Sequence, residues 1–448
     1  MDFLPVELVR LVFQYCDATT VRALRQVSAR YADVGYEFLL DPHFTAVEWR
    51  DDITTLGSIA GHDRLRGSIR SLTFNFCKID EYSVRHTNFE HWPEEPEERS
   101  ALLQDAWLRY YELEEAARKL PPFDSRSAAL EEAFKRLPNL KDLEITFTKC
   151  PYDIPIFKQV FQIRSCCKRD RLQACKNMNA IVSAIRQVRL ASLSIDQLPL
   201  EIFRLADDRR HWFDCARSFA TLSRLSLALD FPPSLLPSAR FRAVNGLGHV
   251  LQYSANLTHL TLAFHNYQKP LEKFHLSFHA LFNCGQAADA AAAAVYPRLT
   301  DLKLENVSCA EDDLRAFLLR HGATLERLRL GGRGLARPHK WSMGGVHLHE
   351  GSFRGLFAGL RGRMPRLRRF HMEGDFHAGK YRLNTREIYR FLPVTDDEWE
   401  PVVACLAGAT RKNARGTCPT MVDCLGLERY LVEGGEYPRL GEDDVETD

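Results

Sequence analysis

Residues 296–330 read YPRLTDLKLENVSCAEDDLRAFLLRHGATLERLRL, and the spacing inside this stretch decides the fold. Leu299, Leu302 and Leu304 stand three and then two residues apart, and the same interval returns at Leu325, Leu328 and Leu330. A step of two puts both side chains on one face of an extended strand, because successive side chains of a strand alternate. Between the copies Leu314, Phe317 and Leu318 fall at helical spacing, and Ser308 with Glu311 has the form of a capping box ahead of that helix. The predicted unit is one strand followed by one helix.

The interval recurs along the chain as Ile69, Leu72, Phe74; Leu140, Leu143, Ile145; Leu190, Leu193, Ile195; and Leu222, Leu225, Leu227. Leu257, Leu260, Leu262 and Leu367, Phe370, Met372 complete the series. A unit this small cannot bury its apolar side alone, so neighbouring copies are expected to stack. Copies begin 26 residues apart at the closest (Leu299 to Leu325) and about 70 apart at the widest (Ile69 to Leu140), which predicts inserted helices and an uneven curve. Residues 97–120, rich in Glu, Ala, Leu and Tyr, predict a long amphipathic helix ending before Pro121-Pro122. Residues 150–187, with Cys166-Cys167 among basic residues, hold no copy in clear register. The alanine run Gln286 to Val295 and the acidic tail Glu442 to Asp448 read as solvated segments with nothing to offset ordering entropy.

A chain of 448 residues, 45% hydrophobic and 27% charged, has room for a sizeable core and more than one domain. Its 60 basic and 59 acidic residues give no global field toward nucleic acid or an anionic membrane, so partners must be recognised locally. Asp2 and Glu7 without a basic leader argue against a secretory signal, and no stretch approaches the roughly 18 apolar residues of a membrane span. The expected location is cytoplasm or nucleus. The 12 cysteines lack paired C-x-x-C spacing and read as reduced thiols, mostly small core residues.

In the first forty residues Leu4, Leu8, Leu11, Val12 and Tyr15 recur as the buried face of a short helix would, with Pro5 suited to its first turn. Asp17, Thr19 and Thr20 offer N-cap oxygens to a second helix carrying Val21, Leu24 and Val27. A third helix is expected after Ser28, holding Tyr31, Val34 and Phe38. Leu4, Pro5 and Phe13 are the apolar excess that one internal seam cannot cover. A DNA-binding helix-turn-helix would need a basic recognition helix, whereas residues 1–40 carry four basic and five acidic side chains.

Leu4-Pro5-Val6-Glu7-Leu8, then Val12-Phe13-Gln14-Tyr15, Asp17, Leu24 and Val27-Ser28 with Arg30 and Tyr31, resembles an F-box. Cys16 and Val21 stand where many members carry Leu, and Tyr31 supplies the aromatic after Ser28. The resemblance implies binding to the Skp-type adaptor of an SCF cullin-RING ubiquitin ligase, with Leu4, Pro5, Leu8, Val12, Phe13, Leu24 and Val27 contacting the adaptor or supporting those contacts. The interval described above is similar to leucine-rich repeats in the degenerate form of fungal F-box proteins. Together they imply an α/β chain: a three-helix F-box over residues 1–45, an irregular leucine-rich-repeat solenoid over 46–375, and a C-terminal cap with acidic tail over 376–448.

Residues flanking the inward positions of each strand face outward and form candidate contact rows. Their charge changes sign along the chain, from Asp142, Glu144 and Asp196 to Arg327, Arg329 and Arg369. Asp301, Lys303, Arg327, Arg329, Arg369 and His371 are the candidate contacts for a protein substrate. There is no G-x-S-x-G, H-E-x-x-H or G-x-x-x-x-G-K-[ST], and the expectation is a non-enzyme without cofactor or metal. His339, His347, His349 and Glu350 form the densest metal-ligand candidate, with His347 and His349 on one face of an extended segment. The alternative to a ligase receptor is a ligase-independent scaffold whose helices only cap the repeats. The two part on whether Leu4, Pro5 and Phe13 are exposed.

Overall fold

The computed structural model describes residues 4–85, 95–150, 154–161, 170–204, 218–232, 235–269, 271–282, 296–335, 342–379, 387–391, 420–422 and 424–438. The alanine run, Cys166-Cys167, His339, Cys418 and the acidic tail lie outside these residues. The chain is α/β with a predominantly parallel sheet, and it divides into two compact units, Met1–Asp196 and Gln197–Asp448.

The first unit opens with α1 (Val6–Gln14), α2 (Ala18–Leu24) and α3 (Ala29–Gly35). The Asp17 carboxylate accepts the Thr20 N–H and the Ser28 hydroxyl accepts the Tyr31 N–H, so α2 and α3 begin where cap oxygens allow. Phe13 lies at the centre of this module, stacked on Phe38 at 5.6 Å and edge-on to Tyr31 at 6.1 Å, with Val9, Val21 and Val34 around it.

Parallel strands β1 (His43–Val47), β2 (Ser71–Asn75), β3 (Asp142–Thr146) and β4 (Ser192–Pro199) follow. Leu72, Leu143 and Leu193 stand side by side in register, as do Phe74, Ile145 and Ile195. Strand β1 was not anticipated by the interval. Phe44 and Ala46 take the places of Leu72 and Phe74 there, and an alanine gives too weak an apolar signal to mark a strand.

Parallel pairing demands a crossover between strands, and helices supply it. These are α4 (Asp52–Gly61), α5 (Glu81–Arg85), α6 (Pro96–Arg118), α7 (Ser127–Lys135), α8 (Pro155–Phe161) and α9 (Arg171–Ile185). Helix α7 packs against both α4 and α9. The insertion expected over 97–120 is α6, which buries Trp107 and Tyr110 in a separate apolar cluster with Cys77, Ile79 and Phe157. Where no copy could be registered, the described residues of 150–187 form α8 and α9.

The second unit holds β5 (Arg224–Asp230), β6 (His259–His265), β7 (Phe274–His275), β8 (Asp301–Glu305), β9 (Val307–Ala310), β10 (Arg327–Gly331), β11 (His347–Glu350) and β12 (Arg369–Ala378). One parallel ladder runs β5, β6, β8, β10, β12, and a second runs β7, β9, β11 and the end of β12. Strand β13 (Glu387–Phe391) pairs antiparallel with β12, and β14 (Thr420–Val422) pairs with β13. Helices α10 (Pro237–Gln252), α11 (Phe278–Phe282), α12 (Glu311–Arg320) and α13 (Phe353–Leu360) each pack on the next, and α14 (Cys424–Glu428) packs on β12.

Every apolar residue of the eight interval copies is buried, none more than 5% exposed. Burying one such side chain contributes about 1.5–3 kcal/mol, so this row is a substantial source of cohesion in both units.

The second ladder overturns the capping box. Ser308 lies in β9, where its hydroxyl meets His347 Nδ1 at 2.9 Å, and α12 starts without a side-chain cap. Glu311 instead accepts the Ser352 N–H at 2.8 Å and pairs with Arg315. Between the ladders Asn306 adopts φ 60°, a left-handed turn that asparagine tolerates, and its Nδ2 donates to the Phe264 carbonyl at 2.5 Å and the Glu272 carbonyl at 3.3 Å.

Candidate interaction surfaces

The spacing of Leu4, Leu8, Leu11, Val12 and Tyr15 predicts a buried helix face, but all of these except Leu4, which packs on the helical core, turn outward. Leu8, Leu11, Val12 and Tyr15 are 46%, 47%, 51% and 86% exposed, and Val27, in the turn after α2, is 69% exposed. Val9 and Phe13 face inward instead. Phe13 is only 1% exposed, so it belongs to the core and is not the surface anchor expected from the sequence. The reason is that α1 is apolar on two sides. A seam among three short helices holds one large aromatic, and Phe13 fills it between Tyr31 and Phe38.

Of the expected adaptor set, Pro5, Leu8, Val12 and Val27 are exposed, Leu4 and Leu24 are half-buried against the helical core, and Phe13 is buried. Leu11 and Tyr15 extend the exposed strip. Their helical spacing was visible in the sequence, but spacing alone does not say which side turns inward.

Both polar and ring contacts link the module to the rest of its unit, among them the Tyr36 ring stacked on His62 at 6.4 Å. Arg64, beyond the end of α4, donates to Asp33 at 3.0 Å, and the guanidiniums of Arg25 and Arg64 lie 3.9 and 4.8 Å from the Tyr36 ring centroid. Arg10 pairs with Glu37 at 2.6 Å. None of these contacts covers the α1 strip.

Within the first unit the outward positions of β3 and β4 are acidic or hydroxylic. Glu144 pairs with Lys149 at 2.5 Å, and Asp196 accepts from the Thr146 and Thr148 hydroxyls and the Phe147 N–H at 2.5, 2.6 and 2.8 Å. Within the second unit Lys and Arg outnumber the acidic residues at these positions. Register sets Asp301, Arg327 and Arg369 in one row and Lys303, Arg329 and His371 in the next. Arg327 neutralises Asp301 at 3.0 Å and reaches His259 Nε2 at 3.3 Å. Arg369 is exposed, with Glu428 at 3.8 Å. His371 is buried, so this member of the expected substrate set has no place on a contact face. Burial first, then the Arg329 and Lys303 charges, push its imidazole down to about 3.

Burial of His371 belongs to a polar network that the sequence did not reveal. Glu305 is buried, which by itself raises a carboxyl, yet Lys303 at 3.0 Å, the His265 charge and the Gly334 N–H at 2.7 Å hold it at about 2. Glu373 accepts the Ser342 hydroxyl at 2.7 Å, and burial pushes its carboxyl up. Lys273 donates to Asp375 at 2.6 Å and to the Met343 carbonyl at 2.5 Å. Burial holds Lys273 below the usual lysine range, and Lys273 keeps Asp375 below the usual carboxylate range although burial opposes it. The chain passes over Glu305 as glycine at two points. A Cβ at Gly332 or Gly344 would come within 2.2 or 2.8 Å of its side chain.

His347 is fixed between Ser308 and the Gly379 carbonyl at 3.0 Å, while the His349 ring lies tilted against His275 with centroids 4.6 Å apart. Among the described residues no three His, Cys, Asp or Glu side chains gather as a metal site. No described helix is long and apolar enough to cross a membrane. No protein-family model matches the sequence, and no curated protein shows significant similarity to it.

Proposed function

We propose that this chain is a non-catalytic substrate receptor of an SCF-type cullin-RING ubiquitin ligase. In this reading the N-terminal module is an F-box that docks on a Skp-type adaptor, and the strand rows of a degenerate leucine-rich-repeat array hold a protein substrate. The observation that carries it is the strip Leu8, Leu11, Val12 and Tyr15. It stays exposed on a module that has its own apolar core, built around the buried Phe13. An apolar helix face left open beside a satisfied core is the feature expected of a docking helix.

The receptor's contribution would be effective concentration, with substrate lysines held near a ubiquitin-charged enzyme and the chemistry done by partners. Co-expression with a Skp-type adaptor is expected to give a stable complex on size exclusion. Leu8→Asp with Val12→Asp should cut adaptor capture by roughly tenfold or more, because each places a charge in an apolar contact. Both sites are exposed, so the folded state should change by no more than about 0.5 kcal/mol per site. Undiminished capture by the double variant, or none by the parent chain, would leave the scaffold reading in its place.

A further inference from the structure

The first unit contains a cavity of about 330 Å³ that neither the helical module nor the strand rows use. It lies beyond the carboxyl ends of β1 and β2, the side of a parallel sheet where ligand crevices form. Trp49 follows β1, Phe74 and Phe76 come from β2 and its continuation, and Leu113 and Ala117 of α6 form the opposite wall. The chain then breaks at Pro121-Pro122 and returns Phe123 over the sheet, edge-on to Phe76 at 4.8 Å and to Phe74 at 5.4 Å. Helix α6 packs through its apolar cluster on Cys77 and Ile79 beyond β2, and the space beside it is walled by rings.

The charged residues of the lining restrict what can enter. Lys78 pairs with Glu48 at 3.0 Å, Arg50 with Asp52 at 3.0 Å, Arg118 with Glu114 at 3.5 Å, and Arg126 with the adjacent Asp51 at 2.6 Å. A charged ligand would meet side chains whose charges are already partnered. The Tyr110 phenol is engaged too, accepting the Ile79 N–H and donating to Glu114, each at 3.1 Å. Gln173 gives its amide N–H to Asn177 at 2.8 Å and keeps its carbonyl oxygen as an acceptor. The volume falls at the lower end of the about 300–1,000 Å³ of small-molecule sites, which are mostly apolar with few polar groups.

We propose that this cavity binds a neutral, ring-bearing small molecule carrying a hydrogen-bond donor. The rings take the ligand body, the Gln173 carbonyl takes the donor, and the paired charges favour a neutral ligand over anions and cations. The site would operate whether or not the N-terminal module meets an adaptor.

The test titrates the full chain calorimetrically with 1-naphthol, 1-naphthoate and 1-methoxynaphthalene. Saturable binding of 1-naphthol is expected, roughly tenfold or more tighter than naphthoate, with the methoxy compound between them because it lacks the donor. Ala117→Trp, which fills the cavity from its wall, is expected to abolish binding. Hydrogen exchange of the parent chain supplies a readout independent of that variant's folding, with 1-naphthol slowing peptides over 46–53 and 110–126. Absence of saturable binding, naphthoate binding as tightly as naphthol, retention by a folded Ala117→Trp chain, or protection outside those peptides would each overturn the proposal.

Discussion

The two units use the same interval of apolar residues and finish their strands differently. In the first, β2 runs out through Asn75 into Phe76 and Cys77, and aromatic side chains enclose an apolar space under α6. In the second, β8 runs into Glu305 and Asn306, and a second ladder, two glycines and a set of buried charges fill the equivalent region. The interval fixes what lies inside a strand. The residues just beyond it decide whether its end becomes an open pocket or a sealed polar seam.

Breaking that seam should have the largest effect. Lys273→Met leaves Asp375 buried without its cation, and loss of one partner of such a pair costs about 3–5 kcal/mol. Chemical denaturation of the second unit should show it. A smaller difference separates two asparagines in comparable places. Asn306→Ala loses two bonds to carbonyls and puts alanine at φ 60°, a combined cost of about 2–3 kcal/mol. Asn75→Ala loses only the bonds to the Lys149 carbonyl and the Cys77 N–H, for about 1–2 kcal/mol. Equal losses in thermal denaturation would mean that the two strand ends are not built differently.

Acid should separate the units next. His321, His347 and His371 are buried in the second unit, whereas His43 and His62 of the first are exposed. The folded imidazole of His371 titrates near 3, below the about 6.5 of an unfolded histidine, so its stabilisation is complete above about pH 6.5 and is lost as pH falls toward 3. At pH 5 the loss is about 2 kcal/mol. Glu373, held up by burial, works in the opposite sense and offsets part of it. Hydrogen exchange at pH 7 and pH 5 should show faster opening of peptides over 369–378 and little change over 142–146. The smallest effect is expected at the surface. Arg327→Gln removes a half-exposed pair with Asp301 and should cost under about 1 kcal/mol, measured by denaturant midpoint.

How much could be read beforehand follows from which interactions are local. The interval at Leu302 and Leu304 announced strand and spacing, and α6 ended close to the proline pair that predicted its end. Strand β1 escaped because Ala46 contributes little to an apolar pattern, and the second ladder escaped because β7 and β9 are only two and four residues long. Ser308 and Glu311 fit a capping pattern, yet Ser308 meets His347 and Glu311 accepts from Ser352 as well as from the nearby Arg315, and His347 and Ser352 are too distant in sequence for any local motif to include.

The sequence by itself determined the α/β character and the residues of the strand interiors, because alternation and helical spacing act over a few neighbouring residues. The tertiary structure alone decided that Phe13 turns inward while Leu8 and Val12 face out, and that Glu305, Glu373 and Lys273 are buried. An apolar side chain is drawn to whichever surface has room for it, and a charge can leave water only where a distant partner waits. Both conditions are set by segments far along the chain.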